Sequence, residues 1–152
     1  MRTSHRRPVD DRALECLQVV ASPSRQRILA LVEKGVDHPE DLAKKLKLRR
    51  QGVDKQLLEL FEWGFVDRSA IFPAGGRPRI VYRLSERGKD LMKRMTALFA
   101  EYRDGIREDM QSTLGLLEDK LAAGELDEDA YLKQRKTIEA RYAKFVEEAK
   151  PA

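Results

Sequence analysis

The chain has 152 residues, 41% of them apolar and 37% charged, which is one ordinary domain or a small domain with a helical extension, under a heavily charged surface. No stretch approaches the ~18 uninterrupted apolar residues of a membrane span, and the opening MRTSHRRPVDDR carries basic residues with no apolar run behind them. An embedded or secreted protein is therefore disfavoured and a cytoplasmic one expected, while a single cysteine, Cys16, and two histidines, His5 and His38, give no set of metal ligands or redox pair.

Residues 1–10 are polar, basic and without period, and are expected to form a flexible arm. A helix follows from Asp11, with Leu14, Leu17, Val20 and Ala21 on its apolar face and Cys16 packed in or beside it. Ser22-Pro23-Ser24 interrupts it, and Ser22 or Ser24 caps a second helix with Ile28, Leu29, Leu31 and Val32 inside and Gly35 at its end. A short helix is expected from Pro39 to about Leu46, because proline suits a first turn and Glu40 and Asp41 complement the positive helix end. After a tight turn at Lys47 and Leu48 comes a longer helix, Arg50 to Trp63, with Val53, Leu57, Leu60 and Phe61 facing the core and Gly64 as its stop. Two helices so joined make a helix-turn-helix.

Past Gly64 the period changes. Phe65 to Phe72 and Arg79 to Leu84 read as strands around the turn-forming Pro73-Ala74-Gly75-Gly76, a β-hairpin. Ser85 then caps a long helix whose apolar residues, Leu91, Met95, Leu98, Tyr102, Ile106, Met110, Leu114, Leu117 and Leu121, recur three or four apart; Gly105 or Gly115 could bend it. Ala123-Gly124 ends that helix, Asp127 caps the next, and Tyr131, Arg135, Ile138, Tyr142, Phe145 and Ala149 form a seam that folds back on it. The expected fold is mainly α with a small β-hairpin wing: a helix-turn-helix domain at 11–84, then an antiparallel long-helix hairpin at 85–152. So thin a hairpin buries little alone, and a second copy of the chain is the simplest cover. Leu91, Met95, Leu98, Tyr102, Ile106, Met110, Leu117, Ile138, Tyr142 and Phe145 are the expected dimerisation residues.

Charge is distributed unevenly. Residues 1–84 hold 17 Lys/Arg against 11 Asp/Glu, net +6, and 85–152 hold 13 against 15, net −2. Lys44, Lys45, Lys47, Arg49, Arg50 and Lys55 are opposed between 44 and 55 only by Asp54, and the hairpin adds Arg68, Arg77, Arg79 and Arg83 with no acid from 68 to 83. Cations on both features can meet phosphates along one groove, so double-stranded DNA is the expected partner. With the Arg50–Trp63 helix in a major groove, Arg50 or Lys55 can read guanine, Gln51 or Gln56 adenine, and Asp54 the cytosine amino group. Gly52 allows close backbone approach. Asp54 is equally suited to an ion pair or to repelling phosphate. Arg77 and Arg79, beside Gly75-Gly76, can lie on the backbone or enter a minor groove.

ASPSRQRILALVEKG at 21–35 and LAKKLKLRRQGVDKQLLELFEWGFV at 42–66 resemble the opening helix and helix-turn-helix of ArsR-type repressors. GGRPRIVYRLSERGKDLM at 75–92 is similar to the wing and following helix of the PadR and MarR groups. The resemblance, to winged helix-turn-helix transcription regulators, covers about residues 12–95. It implies a homodimeric, sequence-specific DNA-binding regulator; ligand-responsive members of the family bind a small-molecule effector between the winged domain and the dimer helices, where Met95, Tyr102, Met110 or Tyr142 could line a pocket for one, still unidentified, or equally serve as core residues. It also places Asp54 where many members have a DNA-contacting serine, and no cysteines where metal sensors carry a pair at 40–46. LEDKLAAGELDEDAYLKQRKTI at 117–138 resembles the helical hairpin called SHOCT, which implies an assembly role. No cofactor, metal site or catalytic set is expected: a phosphate loop, a nucleophile–histidine–acid set and a glutamate–histidine metal spacing are all missing. The alternative to DNA binding is a winged-helix module that docks proteins.

Overall fold

The structure, a computed structural model, describes residues 8–147. Residues 1–7 of the expected arm, and Ala149 of the last seam, lie outside the described residues. The elements in order are α1 (Asp11–Val20), α2 (Pro23–Glu33), α3 (Pro39–Leu46), α4 (Arg50–Glu62), β1 (Val66–Ile71), β2 (Arg79–Leu84), α5 (Glu86–Ala122) and α6 (Glu128–Val146). The architecture is mainly helical with one antiparallel hairpin, and the chain divides into two compact units between Met92 and Lys93, within α5.

Local chemistry accounts for the boundaries. Asp10 accepts from the backbone N–H groups of Arg12 and Ala13 to start α1, and Ser22 accepts from Arg25 N–H, with Pro23 in the first turn of α2. His38 Nδ1 accepts from Glu40 N–H ahead of Pro39, and Asp127 accepts from Ala130 N–H at the start of α6. Of the two serines expected to compete for the second cap, Ser22 takes the role.

The core of the first unit collects Val19 and Val20 from α1, Ile28, Leu29 and Val32 from α2, Leu42 and Ala43 from α3, Val53, Leu57 and Leu60 from α4, Phe65 and Val66 around the start of β1, and Val81, Tyr82 and Leu84 from β2. Three expected core positions are corrected, the first being Ala21, exposed at the carboxy-terminal cap of α1. Leu17 is 38% exposed, because α1 buries its carboxy-terminal Val19 and Val20 rather than a stripe along its length. Phe61 is 37% exposed, and its ring lies under the Arg68 guanidinium at 4.7 Å instead of entering the core.

The hairpin pairs Val66 with Leu84 through to Ile71 with Arg79. Tyr82 N–H donates to Asp37 carbonyl at 2.8 Å, tying β2 to the α2–α3 connection. Ser85 fastens the base of the wing to α5: its hydroxyl donates to the Gly64 carbonyl and accepts from Gly88 N–H, and its own N–H donates to Phe65 carbonyl. Gly88 is obligatory there, because a Cβ would stand 2.7 Å from the Phe65 carbonyl oxygen.

In the second unit α5 and α6 form an antiparallel hairpin turned at Gly124, whose φ of +76° closes the helix end. Tyr102 meets Phe145 edge to face with centroids 6.3 Å apart, Arg107 donates to the Phe145 carbonyl, and Leu117, Tyr131 and Tyr142 are buried. Hydrogen bonds to Glu139, and then to Tyr131, raise the Arg135 guanidinium above its ordinary pKa.

Candidate nucleic-acid interface

The turn between the motif helices is built by Lys47. It lies at φ 55°, ψ 41°, in the left-handed region, and Leu48 N–H donates back to Ala43 carbonyl, the bond that closes a helix end of the Schellman type. Glycine is the usual residue in this conformation; a side chain there costs about 1–2 kcal/mol. The geometry leaves Lys47 exposed beside Lys44 and Lys45, which occupy the outer face of α3.

α4 then begins on Arg49, whose side chain makes no capping hydrogen bond, so the first-turn N–H groups carry the helix's positive end without a side-chain acceptor. Arg49, Arg50, Gln51, Gly52 and Lys55 are exposed, and Val53, Leu57 and Leu60 are fully buried on the opposite side. Gln56 differs: it is half-buried, and its Oε1 is a buried acceptor with no partner among the described residues. Asp54 pairs with Arg50 at 3.2 Å, both about half exposed. Glu59 receives the Arg25 guanidinium at 2.6 Å, so this acid is also engaged within the domain.

The wing projects away from the core. Every residue from 67 to 80 is exposed, including Arg68, Arg77 and Arg79. Arg79 lies 3.7 Å from Asp41 of α3. Asp41 precedes Lys44 and Lys45 by three and four residues and so shares their helix face. The pair thus brings the wing strand to the lysine-bearing side of α3, while Arg77 stands at the tip, past Gly75-Gly76.

A cleft of about 810 Å³ lies elsewhere and is of opposite character. Glu33, Asp37, Asp67 and Glu86 line it against Arg83 and Lys89, so that of the cations expected to meet phosphates Arg83 alone stands on its wall. Its carboxylate excess suits it poorly to a phosphate backbone.

The expected dimerisation residues separate into classes. Leu91, Leu98 (67%) and Tyr102 (59%) are exposed; Met95, Ile106, Met110, Ile138 and Phe145 are half-buried; Leu117 and Tyr142 are buried within the single chain. Phe99 and Leu116 are large exposed apolar residues of α5 that the three-or-four spacing did not select. Among the described residues no group of three or more His, Cys, Asp or Glu is placed to hold a metal ion, and no helix is long and apolar enough to cross a membrane.

No protein-family model matches the sequence, and no curated protein matches it significantly. Solved structures do. Among them is the diamide-treated YodB from B. subtilis, 12% identical, covering 62% of this chain and 92% of that one with a TM-score of 0.52. Another is described as a transcriptional regulator of the MarR family from Enterococcus faecalis V583, 16% identical, covering 71% of this chain and 99% of that one with a TM-score of 0.51. At these identities the likeness is one of fold, and with α3, α4 and the β1–β2 hairpin in place the chain is a winged helix-turn-helix protein, similar in architecture to a regulator of the MarR type.

Proposed function

We propose that the chain is a sequence-specific, double-stranded DNA-binding transcription regulator that acts as a homodimer. Residues 11–84 form the DNA-binding domain and residues 85–152 the dimerisation region, which is also the assembly role that the SHOCT-like stretch suggests. α4 enters a major groove, where Arg50, Gln51 and Lys55 face the base edges and Gln56, half withdrawn, contributes from its amide end. Lys44, Lys45, Lys47 and Arg49 hold phosphates beside it, and Arg77 and Arg79 reach the backbone or the minor groove. Exposed Leu91, Leu98 and Tyr102 meet their counterparts in a second copy, so that two α4 helices address major grooves about 34–36 Å apart on a partly palindromic site.

The observation that carries this reading is the exposed cationic run of α3, its turn and the start of α4, joined to the wing through the Arg79–Asp41 pair. The protein-docking alternative draws its support from acids on α4. Two of them are occupied, Asp54 by Arg50 and Glu59 by Arg25, which removes most of that support.

Titration against duplexes recovered from genomic fragments tests the proposal. At ~150 mM salt a specific site is expected to hold at roughly 10⁻⁸ M or better, and the double variant Arg77→Ala, Arg79→Ala, which removes two cations from each of two protomers, to weaken binding to all sequences and flatten the slope of log affinity against log salt by about 3.6. Binding that vanishes near physiological salt on every fragment would refute the assignment.

A further inference from the structure

We infer that Phe72 is a wedge that enters the minor groove of the bound duplex and unstacks a base step beneath the wing. This rests on the DNA-binding reading above and adds a contact of a different kind. Phe72 is 76% exposed just past the end of β1, and beneath it Ile71 and Ile80, each nearly half exposed, lie in successive rungs on the two faces of the outer hairpin. None of the three joins the core, which closes with Val66, Tyr82 and Leu84 at the base of the wing. Their apolar surface therefore does little for the fold, and a patch of this kind marks a contact surface.

Charge identifies the occupant. Arg77 and Arg79 flank the tip, while Arg68, over the Phe61 ring, and Arg83, opposite Asp67, stand nearer the base of the ribbon, and the sequence from 68 to 83 has no acid. One distant carboxylate, Asp41, partly offsets Arg79. An apolar tip flanked by Arg77 and Arg79 on the wing of a winged helix fits a polyanion whose interior is apolar, which describes stacked bases between two phosphate strands. Arginines favour the negative potential of the minor groove, and phenylalanine and proline are among the side chains that pry base steps apart from that side.

The tip is also firm enough to insert. Gly76 N–H donates to Pro73 carbonyl at 3.0 Å, Gly75 takes φ +76°, and a Cβ on Gly76 would press on the Pro73 ring at 3.1 Å. Phe72 and Pro73 thus lead directly into a closed turn and form one apolar point. A preformed point loses less freedom on binding than a mobile loop. Pyrimidine–purine steps unstack most readily, so the wedge favours such a step under the wing, at a position read by no hydrogen bond.

The test uses the full chain and a duplex selected by the wild-type protein from a random-sequence pool, with 2-aminopurine at successive positions and a donor–acceptor dye pair at its ends. Wild-type protein is expected to raise 2-aminopurine fluorescence at one step flanking the major-groove site and to shorten the end-to-end distance. Phe72→Ala should abolish both signals and weaken binding roughly tenfold with an unchanged salt slope, since no phosphate contact is lost. Phe72→Leu should retain most of the bend. Equal affinity and bend in Phe72→Ala would overturn the wedge while leaving the DNA reading intact; failure of the wild type to select any duplex would overturn both. Phe72-dependent binding to phosphatidylserine vesicles, or Phe72-dependent self-association, without an effect on the duplex would likewise overturn it.

Discussion

Lys47 holds a backbone conformation that glycine would adopt at lower cost, on a turn that carries its charge outward. Strain retained at such a place points to function rather than folding. Lys47→Gly is expected to stabilise the domain by about 0.5–1 kcal/mol, the relieved strain less the added freedom of the unfolded chain. The urea midpoint should rise at constant m, while the salt slope of DNA binding by the dimer falls by about 1.8, one contact from each protomer. The turn itself was legible, since helix-compatible runs end and restart around Lys47 and Leu48; its left-handed backbone was not, because no glycine or asparagine marks it. Asp54 was similarly ambiguous as a letter in the sequence. The Arg50 pair at 3.2 Å shows what the carboxylate does in the free protein: it holds along the helix the side chain proposed above to read bases.

At the scale of elements, the join between wing and long helix is the most tightly specified feature. Ser85 serves the carbonyl of Gly64 and the N–H of Gly88 together, and Phe65 backbone occupies the space a Gly88 side chain would need. Gly88→Ala is therefore expected to cost about 1–3 kcal/mol, seen as a lower urea midpoint. Gly52→Ala is the contrasting case. Nothing lies within 4 Å of the place an added methyl group would take, so the helix should gain up to about 1 kcal/mol, and any loss of DNA affinity then reports contact with the duplex. Element bounds were readable because their causes are local: Pro39 and Ser22 at helix starts, Gly64 and Gly124 at stops, a β-branched run from Arg79 to Leu84. Burial was less readable. Phe61 and Leu17 satisfy the helical period and still face outward, because which part of a stripe is covered depends on neighbours far along the chain. The bond from Tyr82 to Asp37 joins residues 45 positions apart and has no signature in either segment.

For the whole molecule, three-or-four spacing along 85–146 marks an apolar seam without saying which chain covers it. Leu117 and Tyr142 are covered inside one chain, whereas Leu98 and Tyr102 are left open on α5. Leu98→Glu with Tyr102→Glu is expected to yield a folded monomer by sedimentation velocity and to weaken binding to a palindromic duplex far more than to a single half-site. Leu117→Ala should instead destabilise the helical hairpin, by about 2–5 kcal/mol, without selectively dissociating the dimer. The cationic placement was legible in advance as a charge imbalance between the two halves of the chain; that Arg79 and Asp41 would connect wing to α3 was not, since the two lie in separate elements.

The wing has a liability of its own, because a ribbon of two strands has no third strand on either side, and the Tyr82–Asp37 bond covers the outer edge of β2 only near its base. Exposed Ile71, Phe72 and Ile80 would make those borders adhesive toward another extended chain, and the neighbouring arginines oppose such zippering by mutual repulsion. Stripping the guanidinium groups from this ribbon should therefore promote clumping at high protein concentration as well as weaken attraction to nucleic acid, two effects that light scattering can separate.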